Sequence, residues 1–260
     1  MPGLLSLVGQ FELFVLVACR TSGIFLAAPA VSSPMVPSLV KVLACASVAF
    51  CLMPVAAQGQ GELMLSTTWL GFGLAAAKEL LVGLALGLFA LMAYSGVQIA
   101  GELVSEQMGF AMSVEVDPTT ESEMTVISQF ATVLALLLFM AVDGHHWLLG
   151  ALAKSYERLP VGTFELSEVT MTRIVNGFSR MFESGIVLSA PVLCATLLTT
   201  FAVGIVARVV PQIDTLAMSF PLRVAIGLMV LGAALPFVAH AAERQFAAIR
   251  HGLLPLLVGR

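Results

Sequence analysis

Asp143, His145 and His146 stand in one run, Asp143-Gly144-His145-His146, whose carboxylate and imidazoles are the residue types that hold a metal ion or relay a proton. Neighbouring residues on an ideal helix point about 100° apart, so two adjacent histidines seldom reach one ion. No Cys, Asp or Glu recurs nearby at zinc-ligand spacing. The residues favour a different reading, in which Asp143 and Gly144 interrupt a helix, the imidazoles hydrogen-bond locally and Trp147 lies near a membrane interface. Glu12 and Arg20 are the next candidates, because charges inside an apolar stretch tend to be functional. They lie about 12 Å apart along a helix and about 80° apart around it. Each is therefore expected to meet a neighbouring helix or subunit rather than the other.

Other chemistry is thinner. Arg208 and Arg223 flank Asp214, which predicts a structural ion pair more than a transport site. Cys19, Cys45, Cys51 and Cys194 lie in or beside apolar segments without metal-ligand spacing, and read as small buried hydrophobes. No nucleophile stands at a workable distance from a base, and no glycine loop suits a phosphate. The expectation is a protein that is not an enzyme and uses no metal, nucleotide or other cofactor.

The elements that carry these residues are apolar. Of the 260 residues, 59% are hydrophobic and 11% charged, against about 25% charged in a typical soluble domain; the mean hydropathy is +1.00. A soluble fold could not bury that much apolar surface. Six apolar stretches stand out: Phe11 to Val31, Leu39 to Ala57, Leu80 to Ala100, Val126 to Val142, Gly185 to Val210 and Leu216 to Ala242. Most approach the roughly 20 residues that cross a bilayer. In lipid each must satisfy its own backbone, so the predicted class is all-α, a multi-helix integral membrane protein forming one domain over 1–260. The 12 Lys and Arg residues are scattered, which argues against nucleic acid as a partner. The first ten residues lack Lys and Arg, so the first apolar stretch is expected to be retained rather than cleaved as a signal.

Pro29, Pro34 and Pro37 separate the first two stretches, and Pro54 with Gly59 and Gly61 is expected to end the second. The segment from Glu102 to Glu123 is acidic and has no basic residue, whereas the connection from Asp143 to Ser184 carries Lys154, Arg158, Arg173 and Arg180. Six spans with basic connections inside would place both termini in the cytoplasm and the acidic loop in the periplasm.

Trp69 to Met108 reads as helix throughout, about 60 Å if unbroken, roughly twice the apolar thickness of a bilayer. Either Gly96 and Gly101 break it or it projects beyond the membrane. Its last turns carry Gln98, Glu102 and Glu106 at i, i+4, i+8, a polar stripe expected to face water or a partner. Ser167 to Ser184 reads as a separate amphipathic helix at the membrane surface, capped by Ser167. Gly83 and Gly87 have the Gly-x-x-x-Gly spacing of close helix contacts, and Pro191, Pro221 and Pro236 predict kinks or breaks.

Several segments, in order, resemble the FliR family of flagellar biosynthetic proteins and its injectisome counterparts. They are Arg20-Thr21-Ser22-Gly23 with Ala28-Pro29; Gly101-Glu102, Gln107-Met108-Gly109-Phe110 and Asp117-Pro118; Leu137-Leu138-Phe139 running into Asp143-Gly144-His145-His146-Trp147-Leu148; Leu159-Pro160-Val161-Gly162; and Pro211-Gln212-Ile213 followed by Ser219-Phe220-Pro221-Leu222. The resemblance covers nearly the whole chain. It implies a subunit of the export gate of the flagellar basal body, in the bacterial inner membrane. Kinked helical hairpins of FliP, FliQ and FliR proteins would pack there into a hetero-oligomeric helical assembly, near FlhB and FlhA, through which unfolded flagellar proteins pass. It also implies that apolar faces meet sister subunits as well as membrane lipid.

The resemblance further implies that a loop at 109–116 plugs the pore. Phe110, Met112, Val114 and Val116 alternate with Ala111, Ser113 and Glu115, so an extended loop would set its bulky apolar groups on one side. Such a side can exclude water and ions; the plain alternative is a hairpin whose apolar residues pack beneath it. The rival function is a small-molecule or ion transporter with Glu102, Asp143 and the histidines at a midplane site, against which the charges cluster in connections. An intramembrane metalloenzyme rests only on the histidine pair.

Overall fold

The computed structural model describes residues 2–29, 36–58, 69–110, 125–164, 167–209 and 215–257. Among these residues the chain is helical and without strands: α1 Pro2–Ala27, α2 Ser38–Gln58, α3 Trp69–Met108, α4 Val126–Ala141, α5 Gly144–Arg158, α6 Glu168–Val209 and α7 Thr215–Leu257. Five of the helices are long and apolar enough to cross a membrane, and the broken pair α4 and α5 raises the number to six if it forms one span. The all-α, multi-pass architecture follows from the composition, because only a helix satisfies its own backbone in lipid.

The element boundaries bear on three expectations from the sequence and overturn one of them. First, α3 runs unbroken through Gly96 and Gly101 for 40 residues. Those glycines are close-approach points: a Cβ on Gly96 would strike the Ser184 hydroxyl, and one on Gly101 would strike the Ala131 methyl. Second, the amphipathic segment from Ser167 is not a separate helix but the first part of the 42-residue α6. Polarity changes near Ser184 while every backbone N–H up to Pro191 remains available, so nothing stops propagation. Third, α2 ends at Gln58, where the Pro54, Gly59 and Gly61 group is expected to end it, while α6 and α7 continue past Pro191, Pro221 and Pro236, so of the kinks or breaks expected there no break occurs. One proline removes one hydrogen bond, which a long apolar helix tolerates. Ser167 does cap α6, its Oγ accepting from the Thr170 N–H at 3.3 Å.

The chain forms two compact units, Met1–Met92 with Asp143–Phe178 and Phe246–Arg260, and Ala93–Val142 with Ser179–Gln245. In the first, α1 packs on α2 and α2 on α5. The start of α3 crosses α1 at glycines: a Cβ on Gly23 would lie 2.6 Å from Leu80 O, one on Gly83 would overlap Arg20 O, and one on Gly87 would lie 2.7 Å from the Ala27 methyl. The Gly83 and Gly87 spacing thus marks a true helix contact. In the second unit Val104, Met108, Ile127 and Val192 form a buried cluster with Phe110, Val230 and Leu231 packed against it. Many large apolar side chains remain exposed, among them Leu39, Val42 and Phe50 on α2 and Leu198, Phe201 and Ile205 on α6. In a soluble protein such surface would be a liability; in a multi-pass membrane protein it suits contact with lipid.

Candidate functional site

The root of the proposed plug lies in the second unit. As α3 ends, Gly109 N donates to Glu106 O at 2.9 Å and Phe110 N to Ser105 O at 3.1 Å, and Gly109 adopts φ 93°. This is a left-handed helix stop, which glycine adopts without steric cost. It turns Phe110 onto Phe220, with ring centroids 6.2 Å apart and planes at 73°, an edge-to-face pair. Room is tight as well, since a Cβ on Gly109 would lie 3.1 Å from the Phe220 ring. Met112, Val114 and Val116 lie outside the described residues.

A hydroxyl cluster ties together the two helix ends that flank 111–124. Ser105, in the last turn of α3, hydrogen-bonds through its hydroxyl to that of Thr125. Thr125 is the N-cap of α4, meets Ser128 Oγ at 2.9 Å and accepts from Ser128 N at 3.3 Å. The polar stripe divides. Gln98 Nε2 donates to Thr132 Oγ1 at 3.3 Å, so it serves the contact between α3 and α4, while Glu102 and Glu106 are exposed.

The first unit holds a buried polar centre that sequence reasoning found only by half. Arg20 and Glu79 are both 0% exposed. Arg20 Nε donates to Glu79 Oε2 at 2.6 Å and Nη2 to Oε1 at 3.0 Å, a two-pronged ion pair. Arg20 Nη1 also donates to Ser155 Oγ at 3.0 Å and Nη2 to Leu159 O at 3.1 Å. Gly162 N donates to Glu79 Oε1 at 2.8 Å, and the guanidinium lies 4.3 Å from the centre of the Tyr156 ring. Arg20 therefore meets a neighbouring helix, as expected, and the partner is Glu79. Glu79 went unnoticed because it sits one residue before the third apolar stretch. Its signal was available: it precedes Gly83 by one helical turn, on the face that meets the helix of Arg20. The centre also joins two distant segments, Arg20 to Gly23 and Leu159 to Gly162.

Asp143 interrupts the helices as predicted, in a left-handed conformation with φ 55°, and its Oδ1 lies 3.2 Å from His146 Nδ1. The imidazoles are not splayed: the rings of His145 and His146 lie 4.1 Å apart with planes at 38°. Asp214 lies outside the described residues. Arg223 Nε is buried without a hydrogen-bond partner among the described residues.

The sequence profile of the bacterial export proteins, family 1, matches residues 11–249. The chain is similar to the flagellar biosynthetic protein FliR of Escherichia coli K12, with 29% identity over 88% of this chain and 87% of that protein. It is similar to the FliR of Bacillus subtilis 168, with 33% identity over 87% of each chain. With the FliR of Pectobacterium carotovorum it shares 33% identity over 66% of each chain.

Proposed function

The chain belongs to family 1 of the bacterial export proteins, matched along residues 11–249, and on that premise we propose that it is a core subunit of the channel through which unfolded flagellar proteins leave the cytoplasm. It is a multi-pass protein of the inner membrane and a component of the flagellar export apparatus. In the finer reading it assembles with FliP and FliQ homologues, next to FlhA and FlhB, into one helical gate in which it acts as a single domain. The family match carries this reading.

Physical features support it. The helix α3 is 40 residues long, about 60 Å, more than a bilayer requires. Exposed apolar residues on α2 and α6 offer surface to neighbours. The docking of Phe110 on Phe220 supports the further proposal that Phe110, Met112, Val114 and Val116 are the apolar lip of a plug at 109–116. Glu102 and Glu106 are the part of the stripe left to face water or a partner.

The test is extraction of the full chain from native membranes in mild detergent, followed by identification of what stays bound. FliP and FliQ homologues should remain in defined proportion. A chain that functions and purifies alone would overturn the channel reading in favour of a solitary transporter.

A further inference from the structure

We propose that Asp143, His145 and His146 form a binding site for one divalent transition-metal ion of the zinc, nickel or copper type. One ligand atom from each of the three lies within 4.8 Å of the others. The sequence argument against a shared ion was the 100° between adjacent helical residues. Both histidines lie in the first turn of α5, yet their rings lie side by side at 4.1 Å, so that angle does not keep them from one ion. The left-handed backbone of Asp143 leaves its carboxylate without a capping bond and beside His146, Oδ1 to Nδ1 being 3.2 Å.

Two ligands on a tetrahedral zinc with bonds near 2.1 Å are about 3.4 Å apart. The Asp143 and His146 pair already has that span. The wider separations close by rotation about the side-chain bonds of Asp143 and His146, whose side chains are 73% and 70% exposed. A second observation points to a ligand. His145 Nδ1 is sealed from solvent and has no hydrogen-bond partner among the described residues, and a buried polar atom in that condition costs about 1–3 kcal/mol. A cation held at that nitrogen would supply the missing partner. Two imidazoles and one carboxylate select borderline transition metals over calcium or magnesium, which prefer an all-oxygen shell. Three protein ligands leave a coordination position for water.

The experiment uses the full chain without a polyhistidine tag, purified in detergent with its bound partners, stripped by chelator and dialysed against zinc. One zinc per chain, retained against excess magnesium, is expected. The double variant His145→Ala with His146→Ala should weaken zinc binding more than about tenfold. Because that variant could fold poorly, the unaltered chain is also loaded with one equivalent of copper(II), whose electron paramagnetic resonance spectrum should show splitting from two imidazole nitrogens. Zinc no higher than in the dialysis buffer, equal zinc in the double variant, or a copper spectrum with oxygen ligands alone would each overturn the site.

Discussion

Arg20 on α1 and Glu79 on α3, 59 positions apart in the sequence, meet with no solvent access and 2.6 Å between Nε and Oε2. Around them Ser155, the Leu159 carbonyl and the Gly162 N–H supply further hydrogen bonds to the pair. Three helices, α1, α3 and α5, and the turn at 159–162 thus share one polar centre, so disturbing it reaches every element it ties.

Removing one member of this pair strands the other without a partner. Glu79→Ala or Arg20→Ala should destabilise the chain by about 3–5 kcal/mol, whereas a joint change to apolar residues of similar volume, Arg20→Met with Glu79→Leu, should cost far less. Steady-state levels of membrane-inserted chain and its resistance to protease would show the difference. Equal loss in the double and single variants would mean that the hydrogen bonds to the 159–162 turn matter more than the ion pair.

At the crossing of α1 and α3 the backbones leave no space for a side chain. Gly83→Ala would drive its methyl into Arg20 O, while Gly73, on the same helix, has nothing within 4 Å of an added Cβ. Gly83→Ala should lower thermal stability in detergent by about 1–3 kcal/mol, the range for overpacking, and Gly73→Ala should be neutral or slightly stabilising. Thermal aggregation of the two purified variants checks the contrast.

The hydroxyls of Ser105 and Thr125 should matter to stability before they matter to transport. Thr125→Ala removes the N-cap of α4 and the bond to Ser105, and should cost about 1 kcal/mol; Thr125→Ser should restore most of it. Protease sensitivity of the 111–124 segment in the three proteins measures the effect. No change in Thr125→Ala would show that the cap contributes nothing.

Deleting Phe110 to Val114 removes three of the four proposed lip residues while leaving Gly109 to end α3. In a correctly assembled gate this should raise membrane conductance to ions. Phe220→Ala, which removes the partner of Phe110, should produce a smaller leak, since an edge-to-face pair contributes about 0.5–1.5 kcal/mol. Planar-bilayer recording on purified complexes provides the readout, and an intact seal in the deletion complex would remove the plug from the mechanism.

Sequence reasoning located helices well where the signal was chemical. Trp69 to Met108 matched α3 end to end, and Ser167, Asp143 and the Gly83 and Gly87 pair took the roles their chemistry suggested. It failed where it equated a change in polarity with a change in backbone, as at Ser184, and it left open at Pro191 whether the helix would kink or break, where the helix does not break. Helix continuity depends on local hydrogen bonding, and a helix can pass from a polar to an apolar setting without altering it.

Composition and local pattern alone determined that this chain is helical and embedded in a membrane, because an unsatisfied backbone is costly in lipid, and its ordered motifs carried the resemblance to an export family that the family match bears out. Only the tertiary structure decided which charges are partners. Arg20 finds Glu79, Gly162 turns its N–H toward that carboxylate, and Phe110 lands on Phe220. Contacts between distant segments depend on how helices cross and on which atoms the crossing leaves room for, and no one-dimensional spacing records that geometry.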